Sequence, residues 1–306
     1  MRRLIHFLLS LAVTGAIFAA LLWRIPFERL LRALEDADHS RFLTLMIANT
    51  LFYFCWDTLV LTRVVHWFHA PVPWRELLPV RAASYVVGFF NTNAGRGALA
   101  AYLSRRLDAP FLQLGSTVLF MVLTEYTHLV VWGTVGIAIY GSAMTRELLW
   151  VPPAVALFWL VFLKLTRLPR RDWALLRTFR LAPPRRYVQV VLLRAPMFFV
   201  SLCLHYAAAR TFGIEIPFGA LVVFLPVIFM IAALPITVAH LGTTQAAWIF
   251  FFGAYGTPAE LLAFSLAAHL TFTTTRALVG LAFLPRAYFD LVGERGEGRG
   301  ARAVSG

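Results

Sequence analysis

The sequence predicts an all-α, polytopic membrane protein with about six full spans and two re-entrant or broken helical hairpins in an inverted repeat. Composition is the first of three observations behind this. Of 306 residues, 60% are hydrophobic and only 14% charged, with a mean hydropathy of +0.73. A soluble domain of this length carries more charge than that. The second observation is a series of apolar runs near the roughly 20 residues that cross a hydrocarbon core. The third is a pair of polar, glycine-containing interruptions, Asn91-Thr92-Asn93-Ala94-Gly95-Arg96-Gly97 and Pro235-Ile236-Thr237-Val238-Ala239-His240-Leu241-Gly242-Thr243-Thr244-Gln245. Irregular backbone in a bilayer survives only where protein or a watery cavity satisfies it. Paired interruptions in corresponding positions point to a transporter-type site.

The full spans are expected near 4–23, 42–65, 111–140, 148–165, 187–210 and 259–284. Met1-Arg2-Arg3 ahead of Leu4–Trp23 looks like a signal peptide. Its apolar run is longer than a signal core and lacks a clear cleavage site, so a first spanning helix is expected. The net charge of +13 comes from 27 Arg and one Lys. The arginines sit mostly between apolar runs, as the positive-inside rule produces, so nucleic acid is a poor partner. The stretch Lys164–Arg194 contains nine basic residues against Asp172 and is expected to be cytoplasmic. Arg2 and Arg3 place the N-terminus inside, and Arg286, Arg295, Arg299 and Arg302 place the C-terminus there too. The bacterial inner membrane is the expected location.

Parity then fixes the interruptions. The run Ala82–Phe90 has nine residues, about 14 Å of helix, or half the core. Arg81 precedes it and Arg105 and Arg106 follow, so this segment should dip in from the inside and return. Thr243–Tyr255 is also short for a span, and that segment should dip in from the outside. Opposite entrances make 82–140 and 217–284 an inverted repeat within one membrane domain, 1–292. Asp108-Ala109-Pro110 and Gly256-Thr257-Pro258 follow the two interruptions at similar distances. The Gly- and Arg-rich tail, 293–306, is expected to be disordered.

Ionisable groups inside spans are functional candidates because burying charge in lipid is costly. Asp57, Glu125, His128, His269 and Arg276 qualify. Arg96 is the first choice for an anion, since a guanidinium beside a helix N-terminus suits phosphate and Gly95 and Gly97 allow close approach. Its alternative is snorkelling to the interface. Asn91 and Asn93 would line the same site. Glu125 and Arg276 would form a central polar pair, as a gate or as simple neutralisation. His128 and His269 would relay protons or serve as hydrogen-bonded packing residues. In the second interruption, which would line the same substrate site, Pro235 would free a carbonyl and Gly242 permit a tight turn, while Thr237, Thr243, Thr244 and Gln245 would bind a head group or cap half-helices. His66 and His69 have no third ligand nearby, so no metal is expected. Cys55 and Cys203 form no redox or metal pattern. No nucleotide fingerprint or nucleophile arrangement is visible, so neither a cofactor nor an enzymatic activity is expected.

The motifs resemble the membrane domain of the lysylphosphatidylglycerol synthase/flippase family. The family's first half typically carries Asn-x-x-Pro-Gly-Arg-x-Gly-Glu. Asn91, Gly95 and Arg96 match it, and Ala94, Ala98 and Leu99 replace Pro, Gly and Glu. A following Glu-Arg is matched by Glu125, with Tyr126 in place of Arg. The second half usually reads Pro-Ile-Ser-x-Gly-Gly-x-Gly-x-x-Glu. Pro235, Ile236 and Gly242 match, while Thr237, Ala239, His240 and Gln245 stand for Ser, Gly, Gly and Glu. The resemblance spans roughly residues 1–285. It implies a flippase-like protein that binds or translocates an anionic lipid or related amphiphile. The family's aminoacyl transfer belongs to a separate soluble domain, so no synthase activity is expected here. The alternative is a non-transporting subunit supporting an envelope lipid- or glycosyl-transfer enzyme. Membrane lipids are the expected partners, with a homo-oligomer or an envelope-enzyme partner left open.

Overall fold

A computed structural model describes residues 2–141, 147–166, 173–232 and 241–303, and these are helical apart from short connections. The helices are α1 (Arg2–Arg24), α2 (Phe27–Glu35), α3 (His39–Phe68), α4 (Trp74–Phe90), α5 (Thr92–Arg106) and α6 (Phe111–Tyr140). They continue with α7 (Val151–Thr166), α8 (Arg177–Leu181), α9 (Pro184–Arg210), α10 (Phe218–Ala232), α11 (Thr243–Phe252) and α12 (Pro258–Ala303). Among the described residues, α3, α6 and α9 are each long and apolar enough to cross a membrane. Residues 12–24, α7 and α10 are shorter apolar helices. Large apolar side chains such as Leu157, Leu160, Val188 and Leu192 are exposed on α7 and α9. Water would penalise such surfaces, whereas hydrocarbon accepts them. The all-α membrane fold expected from the sequence is therefore what the chain adopts. Helix α12 continues through residues 293–303, the stretch for which the sequence suggested disorder; the side chains there lie outside the description.

Local chemistry sets several boundaries. At the start of α12, Glu260 N donates to Thr257 Oγ1 at 3.3 Å and Thr257 N donates to Glu260 Oε2 at 2.8 Å. This reciprocal box satisfies two donors that a helix start leaves open, and Pro258 in the first turn lacks one of its own. Asp38 Oδ1 accepts from Arg41 N at 3.0 Å at the start of α3.

The chain forms two compact units. The first takes Met1–Thr50, Glu125–Trp159 and Ala195–Phe272; the second takes Leu51–Thr124, Leu160–Arg194 and Thr273–Gly306. The hairpin α10–α11 belongs to the first and α4–α5 to the second. The first unit is built on aromatic packing. Phe42, Phe212 and Phe264 meet edge to face, and Trp248 packs on Phe264 and Phe252. On α6, Gly136 lets the backbone of α10 approach so closely that a Cβ there would lie 2.8 Å from the Val222 carbonyl oxygen.

In the second unit, Phe179 of α8 packs on Phe120 and Phe162. Ser116 Oγ accepts from Thr178 N at 3.0 Å, and the hydroxyls of Thr117 and Thr178 lie 2.9 Å apart. His69 Nε2 is 2.7 Å from Thr117 Oγ1. Burial, and then the positive charge of Arg177, push the His69 imidazole below its usual range. The folded protein therefore favours neutral His69. The unfolded chain takes up the proton first, so this contribution is intact above about pH 6.5 and is lost as pH falls below that value. The thermal midpoint in detergent should drop between roughly pH 7.5 and 5.5, and His69→Gln should flatten the drop. An unchanged slope in His69→Gln would assign the pH response to other groups.

Candidate functional site

The first interruption is a tight hairpin rather than a stretch of irregular backbone. Asn91 alone leaves the helical path, with φ −156° and ψ 115°, serving both as the end of α4 and the cap of α5. Its side chain accepts from Ala94 N at 2.9 Å. The polar motif that follows is the first turns of α5, where Arg96 Nη1 donates to Asn93 Oδ1 at 3.4 Å. Asn91 and Asn93 are exposed, Arg96 is half-buried and Gly95 is buried. The expectation of a nine-residue entering helix was too short. Helix α4 has 17 residues, about 25 Å, because it begins at Trp74 and runs through Pro79 and Arg81.

Three contacts hold this hairpin. At its open end Arg106 Nη2 meets Glu76 Oε2 at 2.6 Å. At its bend Asn91 caps α5. Between them, a Cβ added to Gly95 would lie 2.7 Å from Gly88 Cα and 2.8 Å from the Ser84 carbonyl oxygen. Only hydrogen fits at that crossing. Helix α12 lies equally close to α4, since a Cβ on Gly280 would fall 2.6 Å from the Ala82 carbonyl oxygen.

For the second interruption, Pro235 and Thr237 lie outside the described residues. Gly242, with φ +92°, precedes α11, a conformation that favours glycine. Gly242 N donates to Gln245 Oε1 at 2.6 Å, and Gln245 is fully buried. Capping is therefore the observed role of Gln245. His128 is buried and its Nε2 accepts from Trp132 Nε1 at 2.9 Å, with Phe198 edge-on to the ring. His269 and Glu125 are half-buried in the first unit, and Arg276 belongs to the second.

The largest departure from the sequence reading concerns Arg81 and Arg194. The sequence reading sets Arg81 ahead of the entering helix and counts Arg194 with the cytoplasmic stretch Lys164–Arg194. Instead Arg81 lies in α4 and Arg194 well inside α9. Both converge on Asp57 of α3. Arg81 donates to Asp57 Oδ2 through Nε at 2.6 Å and Nη2 at 2.5 Å. Arg194 Nη1 lies 3.6 Å from Asp57 Oδ1, and its Nη2 donates to the Met121 carbonyl at 3.3 Å. Asp57 and Arg194 are each 1% exposed. Nearby, Pro196 interrupts the hydrogen-bond ladder of α9, and Trp56 Nε1 donates to the Leu193 carbonyl at 2.7 Å. One turn along α4 from Arg81, the Tyr85 ring receives two guanidinium groups, Arg81 at 4.9 Å and Arg276 at 3.8 Å from its centroid. The signal that could have found this cluster was Asp57 itself, since a carboxylate in an apolar span requires a cation.

Helices with exposed apolar surfaces, a glycine-tight hairpin and an internal charge network define an all-α polytopic membrane protein. The chain belongs to the family described as the lysylphosphatidylglycerol synthase TM region, which it matches across residues 7–280. It is thus a membrane protein of a lipid-related family. Comparison with curated proteins gave no match.

Proposed function

We propose that this chain is a flippase-like membrane protein that binds or translocates an anionic lipid or a related amphiphile. One observation carries the reading. The hairpin α4–α5 packs at Ala82 on Gly280 of α12, and the hairpin α10–α11 packs at Val222 on Gly136 of α6. Each hairpin thus rests on the long helix that follows the other. Exchanging α4–α6 with α10–α12 converts one contact into the other, which supports an inverted repeat. Transporter folds built on such repeats place broken helices at the substrate site. Arg96, beside the start of α5, is suited to an anionic head group through its charge and the helix end together. No catalytic step belongs to this reading.

The test is a vesicle assay with purified protein and fluorescent phospholipids. Wild type should move labelled phosphatidylglycerol between leaflets faster than protein-free vesicles do. Arg96→Ala should slow that movement by about tenfold, the scale of one charge-assisted hydrogen bond. Unchanged transport would remove Arg96 from the mechanism. Failure of wild type to move any phospholipid would remove the reading itself.

A further inference from the structure

We propose that α2 lies in the plane of the membrane interface as an amphipathic anchor, with its side chains Phe27 and Leu31, and Trp23 of α1, seated in the lipid where head groups meet acyl chains. The partner is the lipid surface itself, and this placement is independent of the transport reading.

Helix α2 has nine residues, Phe27–Glu35, about 14 Å of helix and too short to span. At 3.6 residues per turn its side chains fall into three sectors. Ala33, Leu30 and Leu34 occupy about 100° of the wheel. Leu30 is buried, and Ala33 and Leu34 pack against the same core of the first unit. An arc of that width is what docking one helix face on a core requires. Phe27 and Leu31 widen the apolar arc by about 60° more. The protein leaves them uncovered, Phe27 at 63% and Leu31 at 41% exposure. Glu28, Arg29, Arg32 and Glu35 fill the remaining sector, and all four are exposed. One sector thus faces protein and one suits water, and a side sector beside the core face, bordering the charged one, is apolar and open. A helix lying flat at a membrane surface needs both an apolar sector to sink into lipid and a charged sector to stay wet.

The flanks of α2 fix that open sector outward. Ile25 on one side and Ala37 on the other are buried in the core, and Asp38 N donates to the Thr211 carbonyl at 3.0 Å. Continuity with α1 identifies lipid as the occupant. Ala12, Ala16, Ala19, Ala20 and Trp23 are exposed on α1 at the spacing of one helix face, so the lipid-facing side of an apolar helix leads straight to α2. Trp23 is the last apolar residue of α1 before Arg24 and is 90% exposed. Tryptophan at such a position suits the boundary between hydrocarbon and head groups. Arg24, Arg29 and Arg32 stand against Glu28 and Glu35, close to charge balance. Apolar contact therefore dominates the attachment, and anionic lipid is not required for it.

The experiment places a nitroxide label on α2 of the full chain in phosphatidylcholine vesicles. Phe27→Cys, Glu28→Cys, Leu31→Cys and Glu35→Cys are made one at a time in a Cys55→Ser/Cys203→Ser background. Each label is tested against oxygen, which partitions into lipid, and against a nickel chelate, which stays in water. The ratio of oxygen to nickel accessibility should be several-fold higher at positions 27 and 31 than at 28 and 35. The same pattern should persist when phosphatidylglycerol is mixed into the vesicles. Equal ratios at all four positions would overturn the proposal. Labels at 27 and 31 shielded from both reagents would show that protein, such as a second copy of this chain, covers the face, and would overturn the assignment to lipid. A second measurement needs no cysteine. Lipid brominated just below the head group should quench a smaller share of the tryptophan emission in Trp23→Phe than in wild type, and an unchanged share would remove Trp23 from the interface.

Discussion

Asp57→Ala should destabilise the detergent-solubilised protein by about 3–5 kcal/mol, the scale of removing one partner from a buried ion pair. The wild-type carboxylate is 1% exposed and accepts from Arg81 at 2.5 and 2.6 Å. Its second oxygen faces Arg194 at 3.6 Å. Deleting it removes the carboxylate that Arg81 binds and that Arg194 faces, and Arg194 is itself only 1% exposed. Guanidinium groups do not give up their protons to relieve the strain. Asp57→Asn should show most of the loss, because the amide keeps the volume while surrendering the charge. Asp57→Asn/Arg81→Gln should recover part of it, because the mismatch between charge and counter-charge shrinks. The difference between the single and double variants isolates the ionic coupling from packing. Chemical denaturation of the three proteins in one detergent makes the comparison. Equal stability of Asp57→Ala and wild type would show that the pair contributes nothing to the fold.

The helices were legible in the sequence because lipid demands long apolar runs. The spans expected at 42–65, 111–140 and 187–210 lie within α3, α6 and α9. The start of the last span near 259 was legible as well, while the local box of Thr257 and Glu260 that caps it went unread. The charges were harder to place. Arg81 and Arg194 adjoin basic loops, so the positive-inside pattern absorbed them. Their true partner is Asp57, which is distant from Arg194 in sequence, and no local pattern reports such a meeting. The same error shortened α4, since counting stopped at Arg81 and a neutralised arginine does not end a helix. Gln245 was legible as a polar residue in an apolar setting. Its hydrogen bond to Gly242 N shows it capping a helix, a use that sequence alone does not separate from ligand binding. The Gly95 motif was legible, while its backbone neighbour on α4 was not.

Gly95→Ala should open the hairpin α4–α5 and cost about 1–3 kcal/mol, the usual range for forcing an extra carbon into a packed interior. Three α4 backbone atoms crowd the new Cβ: Gly88 Cα at 2.7 Å, the Ser84 carbonyl oxygen at 2.8 Å and Gly88 N at 2.9 Å. Side chains can turn away from such a clash, but a helix backbone must move as a body. The contact points at the bend and at Glu76–Arg106 resist that movement, so strain or separation follows. Gly97→Ala supplies the control. It lies two residues further along α5, and a Cβ there meets nothing within 4 Å. Alanine is favoured over glycine within a helix by about 1 kcal/mol, so Gly97→Ala should be neutral or stabilising. Gly88→Ala should also be tolerated, since its Cβ would come no closer than 3.9 Å to Gly95 Cα. Propensity alone predicts the same gain at all three positions. The expected split, with loss only at position 95, depends on the geometry of the crossing. Thermal unfolding of the three variants, together with the lipid-transport rate of Gly95→Ala, reads both the strain and its consequence. If all three alanines behave alike, the close approach of α4 and α5 is not what Gly95 provides.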